Sequence, residues 1–187
     1  MRRYHCCLMV AAVVLGWSSR GAAAEAFGMT LHQPLNMPEC LKRQDAYLSD
    51  DHEQCFKWPE GVTPSGTLPA HGEVIVNVPL EDRPDYMSGT DVVVGLKDGV
   101  VVSVSAKTHG TAGGGDDTRW LTEAFGKPQQ PPVQISAQPN GFYSLTANWL
   151  LPDGTTVYYN SAEWGTYYGL VRVQSPDASP HQLGLWD

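Results

Sequence analysis

Long apolar runs are nearly absent from this chain of 187 residues. The one that stands out, LMVAAVVLGW at residues 8–17, has ten residues, well short of the roughly eighteen that suggest a membrane-spanning helix. Familiar catalytic signatures are missing as well. No Gly-x-Ser-x-Gly occurs, so a nucleophile elbow is unsupported. No P-loop, dinucleotide fingerprint or His-Glu-x-x-His occurs either. Lys and Arg are few, 12 against 20 Asp and Glu. A nucleic-acid partner needs clustered cations against its phosphates, so this balance argues against one. Cysteine is scarce, 4 in all, and only Cys40 and Cys55 lie beyond the N-terminal apolar run.

What is present at the N-terminus reads as an export signal. Arg2 and Arg3 precede the apolar run, and the small residues GAAAEA follow at 21–26. This three-part pattern is that of a cleaved secretory signal peptide over residues 1–26. Ala24-Glu25-Ala26 before Phe27 supplies the small residues that a cut requires, as does Ala22-Ala23-Ala24 before Glu25. Cys6 and Cys7 precede the run, so neither sits where an acylated cysteine would, and no stable membrane anchor is expected. The product is placed in the periplasm or outside the cell. With the cut near Ala26, 161 residues remain, enough for one domain with a core. They carry 9 basic and 19 acidic side chains, a net charge of −10. Such a surface keeps a protein soluble and also steers it toward a basic partner.

Cys40 and Cys55 should pair in an oxidising compartment. The alternative is a metal, because His52 to Cys55 has ligand-like spacing, but no second pair of ligands completes a site. Residues 27–72 hold five prolines, at 34, 38, 59, 64 and 69. They read as an irregular segment closed by the disulfide, with a short helix expected over LKRQDAYL (41–48).

From Glu73 to Asp187 the pattern predicts an α+β domain. EVIVNVPL (73–80) alternates as a strand. In VVVGLKDGVVVSVSA (92–106), Asp98-Gly99 between two β-branched runs signals a tight hairpin, with Val100, Val102 and Val104 expected on one face. The glycine-rich HGTAGGG (109–115) leads into a helix over DDTRWLTEAFGKP (116–128). Asp116 or Asp117 should cap it, Trp120, Leu121, Ala124 and Phe125 form an apolar stripe, and Gly126 and Pro128 end it. Strands are then expected in VQISAQ (133–138), YSLTANWLL (143–151), TTVYYN (155–160) and YGLVRVQ (168–174). Asp153-Gly154 repeats the earlier Asp-Gly surroundings, so two hairpins built alike are expected. The tail from Ser175 should be loose apart from Leu185 and Trp186. The whole predicts an antiparallel sheet of hairpins packed against one main helix.

The order strand, Asp-Gly turn, strand, then a helix ending LTEAFGKP (121–128) resembles the β-lactamase-inhibitor-like group of small periplasmic modules, which includes the BamE-like outer-membrane assembly lipoproteins. The resemblance covers residues 92–128, with a vaguer echo to 174. It implies a helical layer on an antiparallel sheet and a protein that binds other proteins. The acylated cysteine of the lipoproteins has no counterpart here, and no functional residue carries over.

Two kinds of candidate residue remain. For chemistry, His109 stands beside the glycine-rich loop with Asp116 and Asp117 close in sequence, and Asp153 with Glu163 is the nearest thing to a carboxylate pair. For binding, YYNSAEWGTYY (158–168) holds five aromatic rings in eleven residues. Alternation along a strand sends Tyr158 and Tyr159 to opposite sides, and Tyr167 and Tyr168 likewise. Tyr159, Glu163, Trp164, Tyr167 and Tyr168 are therefore candidate contact residues, since exposed Tyr and Trp give large contact area for few frozen torsions. These residues point first to a non-catalytic protein-binding module of inhibitor, immunity or envelope-accessory type, with a basic envelope or secreted protein as partner. A cell-wall glycan binder stacking sugars on Trp164 and the tyrosines is the alternative, and a hydrolase using Glu163, Asp153 and His109 the next. No cofactor is implied.

Overall fold

The computed structural model describes residues 25–40, 53–113, 116–135, 143–163 and 166–178. Its main feature is an eight-stranded antiparallel sheet. In chain order the strands are β3 (Cys55–Lys57), β4 (Gly72–Asn77), β5 (Met87–Lys97), β6 (Val100–Thr108), β7 (Val133–Ile135), β8 (Ser144–Leu150), β9 (Thr156–Asn160) and β10 (Gly169–Gln174). Before them come two short strands, β1 (Glu25–Ala26) and β2 (Met29–Thr30), which pair only with each other. One α-helix, α1 (Asp117–Phe125), follows β6. The expected helix over 41–48, the second half of VQISAQ and the docking of Leu185 and Trp186 lie outside the described residues.

The spatial order is β3-β4-β5-β6-β10-β9-β8-β7. The sheet is thus two four-stranded meanders, β3 to β6 and β7 to β10, joined where their last strands run antiparallel. This arrangement corrects the expectation of two equivalent Asp-Gly hairpins. The turn at Asp98-Gly99 joins the third and fourth strands of the first meander, whereas the one at Asp153-Gly154 joins the second and third strands of the other. They also differ locally. Asp98 and Gly99 both have positive φ, 55° and 74°, as a two-residue type I′ turn demands. The other connection is longer, closed by Leu151 N–H to the Thr155 carbonyl, with only Gly154 left-handed.

Register decides which side chains are buried. Val94, Val104, Val173, Val157 and Trp149 stand opposite one another across five strands, as do Val92, Ala106, Val171, Tyr159 and Ala147. All ten are buried and belong to one core. The expected sharing of a face by Val100, Val102 and Val104 fails at a bulge. Leu96 pairs with Val101 while Gly95 pairs with Ser103, so Val102 is the extra residue. Val101 and Val104 therefore both enter the core, and Val100 opposes exposed Lys97.

Residues 27–72 contribute more than irregular chain. Leu31, Leu35 and Phe56 join the same core as the sheet valines. His32 N–H donates to the Val101 carbonyl, and Val101 N–H to that of Gln33, so the N-terminal segment runs beside the start of β6. The disulfide Cys40–Cys55 is present, with a Cα–Cα separation of 4.9 Å. It holds Pro38–Cys40 along the outer side of β3, where Phe56 N–H donates to Pro38 and Cys40 N–H to Phe56. One sheet edge is thereby covered. The other edge, β7, is three residues long and follows Pro131-Pro132, which also limits edge pairing.

Helix α1 ends as its sequence indicates, with Gly126 at φ 81° donating its amide to the Thr122 carbonyl. Its start differs from the expectation. Asp116 makes no side-chain cap, and Asp117 is buried, its Oδ2 accepting from Gly110 N–H at 2.7 Å and from the Tyr159 hydroxyl at 3.1 Å. Leu121 is buried, Trp120 and Phe125 are half-buried, and Ala124 is exposed, so the apolar stripe is narrower than expected. The Trp149 indole donates to the Gly126 carbonyl at 2.7 Å. No helix among the described residues is long and apolar enough to cross a membrane.

Candidate functional site

The face of the sheet opposite the core is the natural place to look for a site. Two adjacent rows cross it beside the joint between the meanders. Ser105, Arg172, Tyr158 and Asn148 form one row, and Lys107, Leu170, Asn160 and Thr146 the next. Alternation puts them on this face because their neighbours Ala106, Val171, Tyr159 and Ala147 point the other way. Arg172 Nε donates to Ser105 Oγ at 3.2 Å. The Tyr158 phenol is held above its ordinary pKa, first by burial and then by the charge of Glu163, with the Asn160 hydrogen bond and Arg172 pulling the other way. It therefore stays a neutral hydrogen-bonding group throughout the physiological range.

The loop from β9 to β10 rises at the end of these rows. Asn160 Nδ2 donates to Glu163 Oε2 at 2.7 Å, and Asn160 Oδ1 accepts from the Ala162 amide at 3.1 Å. Glu163 N–H donates to the Tyr168 carbonyl at 3.1 Å, and Thr166 N–H to that of Glu163 at 3.0 Å. The loop is also tied to the chain that leaves β6. Thr111 N–H donates to the Ser161 carbonyl and Thr111 Oγ1 to that of Tyr167, both at 3.1 Å. Gly110 makes this approach possible, because a Cβ there would collide with the Ser161 carbonyl and the Gly169 amide and lie 2.7 Å from the Tyr167 carbonyl oxygen.

On this pinned loop Tyr167 is 57% exposed and Tyr168 42%. Lys107 Nζ sits 3.6 Å from the centre of the Tyr168 ring, close enough for a cation–π contact that fixes the ring against the sheet. The expectation that these two rings would alternate in and out fails because β10 begins only at Gly169. Neither ring is in a strand, and both stay outside. Tyr159 is the other correction. It is wholly buried, bonded to Asp117, and no binding partner can touch it. Trp164 lies outside the described residues. Glu163 is half-buried and its carboxylate serves the loop through Asn160.

The two carboxylates considered for hydrolysis, Asp153 and Glu163, are not brought together. Asp153 accepts from the Thr155 amide in the β8–β9 connection, and Glu163 follows the far end of β9. The five residues of that strand span roughly 16 Å at 3.3 Å each, beyond the range of about 5–10 Å for paired glycosidase carboxylates. His109 has its ring 6.2 Å from that of Trp120, and Asp116 stands 3.8 Å from Arg119. Among the described residues no group of three or more His, Cys, Asp or Glu could hold a metal ion. A cavity of about 270 Å³ lies at the β8 end of the same two rows, lined by Gln129–Pro131, Val133, Thr146, Asn148 and Thr156. It contains no charged side chain.

Sequence reasoning missed the two rows, which are polar apart from buried Leu170. Their one signal is the alternation itself, since Ser103, Ser105 and Lys107 interleave with buried residues in β6, and Arg172 with valines in β10. No protein-family model, curated protein or solved structure matches this chain.

Proposed function

We propose that this is an exported, non-catalytic module that binds another protein of the cell envelope or the surroundings through its β9–β10 loop. The observation that carries the reading is the pair of exposed rings, Tyr167 and Tyr168, on a loop fastened by backbone hydrogen bonds at both ends. A pre-ordered aromatic platform loses little entropy when it docks. The acidic balance of the chain favours a basic partner. We read α1 as backing the buried side of the sheet, supported by the bonds of Asp117 to Tyr159 and of Trp149 to Gly126. The order β5, β6, α1 is also what the resemblance to the BamE-like group rests on. An inhibitor, immunity or envelope-accessory role fits equally within this reading.

The test compares partners captured from periplasmic and secreted fractions by the wild type and by Tyr167→Ala/Tyr168→Ala. Both rings are exposed, so the variant should fold. A binding partner retained by the wild type and lost by the variant supports the reading, and identical partner sets refute it.

One observation favours a second reading. Tyr158, Asn160, Arg172 and Ser105 bring hydrogen-bonding groups onto the same face as the Tyr168 ring, and sugars are held by such a combination of amides, hydroxyls and a stacking ring. Co-sedimentation with purified peptidoglycan, lost in Tyr168→Ala, would favour a cell-wall glycan as the ligand.

A further inference from the structure

The sequence offers two bonds at which a signal peptidase could act, after Ala24 and after Ala26. We propose that the processing site is the bond between Ala24 and Glu25, so that the mature protein begins at Glu25 and keeps strand β1. The inference rests on the export reading above and adds where the chain is cut.

The hairpin β1–β2 carries the argument. Glu25 pairs with Thr30 and Ala26 with Met29. The two residues between them, Phe27 and Gly28, have φ of 57° and 72°. Positive φ at both positions makes a two-residue turn whose twist suits the flanking strands. Phenylalanine adopts such a φ reluctantly, so the turn needs a strand on each side to hold it. The hairpin is also part of the core. Ala26, Phe27 and Met29 are each 4% exposed, and the Phe27 ring meets Tyr86 edge-on with centroids 5.9 Å apart.

A cut before Phe27 would remove one strand of this hairpin together with the buried Ala26. A cut before Glu25 keeps every described residue of the hairpin and puts the new terminus on an exposed residue. The peptidase acts before the chain folds, so the fold does not steer the cut. It shows which residues the product must keep. Ala22 and Ala24 then supply the two small side chains that the enzyme requires, and Ala26 is left to the core.

The experiment is expression of the whole chain, leader included, in a bacterial host, with intact mass and N-terminal sequencing of the exported product. A product starting at Glu25 is expected, and one starting at Phe27 overturns the proposal. Ala22→Gln sharpens the choice, because Ala22 is required only for the cut before Glu25. This variant should lose at least tenfold in product that starts at Glu25, with any remaining cut moved to the bond before Phe27. An Ala22→Gln product with the same N-terminus and yield as the wild type would mean that Ala22 does not direct the cut, and would refute the assignment. A wild-type chain that stays uncut inside the cell would overturn the export reading itself, a result distinct from cleavage at the wrong bond.

Discussion

Gly110→Ala tests the architecture of the aromatic loop. The glycine has φ 58°, and an L side chain in that region costs about 1–2 kcal/mol. A Cβ at this position also runs into backbone, the Ser161 carbonyl, the Gly169 amide and the Tyr167 carbonyl. Backbone cannot swing aside as the end of a long side chain can, so overpacking adds about 1–3 kcal/mol. Together the two terms predict a loss of about 2–5 kcal/mol. Gly99→Ala is the control. Its φ is 74°, and nothing lies within 4 Å of the added Cβ. Only the conformational term of about 1–2 kcal/mol applies there. The stiffening of the unfolded chain by alanine is common to both variants and cancels. Urea unfolding reads the difference directly. With an m-value of about 2 kcal/mol/M, Gly110→Ala should lower the midpoint by about 1–2.5 M and Gly99→Ala by about 0.5–1 M. If Gly110→Ala costs no more than Gly99→Ala, the loop is not held against the β6 exit as described, and the claim of a pre-ordered platform falls with it.

Three further outcomes follow from the buried tyrosines and the disulfide. Tyr159→Phe removes the hydroxyl that donates to buried Asp117, and the loss of a bond to a charged acceptor should cost about 1.5–3 kcal/mol in denaturant unfolding. Burial raises the phenol pKa of Tyr86, and burial with Asp117 raises that of Tyr159. The unfolded chain ionises these rings near pH 10 while the folded chain keeps their protons, so stability is full below about pH 10 and falls as pH rises further. Tyrosinate absorbance should therefore show two rings that titrate only together with loss of the fold, and smooth titration of every tyrosine in the folded state would contradict this. Reduction of Cys40–Cys55, separated by 15 positions, should cost about 3 kcal/mol on the chain-entropy model. Unfolding with and without a thiol reductant checks it.

Local geometry was legible where a single residue type forces it. Asp98-Gly99 turns as a two-residue hairpin because aspartate and glycine tolerate positive φ, and Gly126 ends α1 for the same reason. Alternation located β4, and β-branched or apolar runs bounded by turn residues located β5, β6, β8, β9 and β10. What failed depended on distant partners. The bulge at Val102 arises from how β5 and β6 register along their whole length, and nothing in VVVSVSA marks it. The proline-rich N-terminal segment read as irregular because proline disfavours inner strands, yet Leu31, Leu35 and Phe56 still reach the core without needing long strands to carry them. Asp117 read as a helix cap, and its true partners, Gly110 and Tyr159, lie 7 and 42 positions away.

The same distinction explains the candidate site. Parity alone said that one of Tyr158 and Tyr159 must face outward, and it could not say which, because the inward face is set by the register of β9 against β10. The exposure of Tyr167 and Tyr168 follows from topology. Joining the meanders at β6 and β10 brings the exit of β6 against the β9–β10 loop, so that Thr111 reaches Tyr167 from 56 positions away. Two residues would suffice to connect adjacent antiparallel strands. The chain spends eight, from Ser161 to Tyr168, with backbone hydrogen bonds at Ser161, Glu163, Thr166 and Tyr168, and leaves two tyrosine rings in water. That juxtaposition of hydrogen-bonded backbone and exposed rings is what the proposed binding role rests on, and it is set by the order of the strands rather than by any local pattern in the loop.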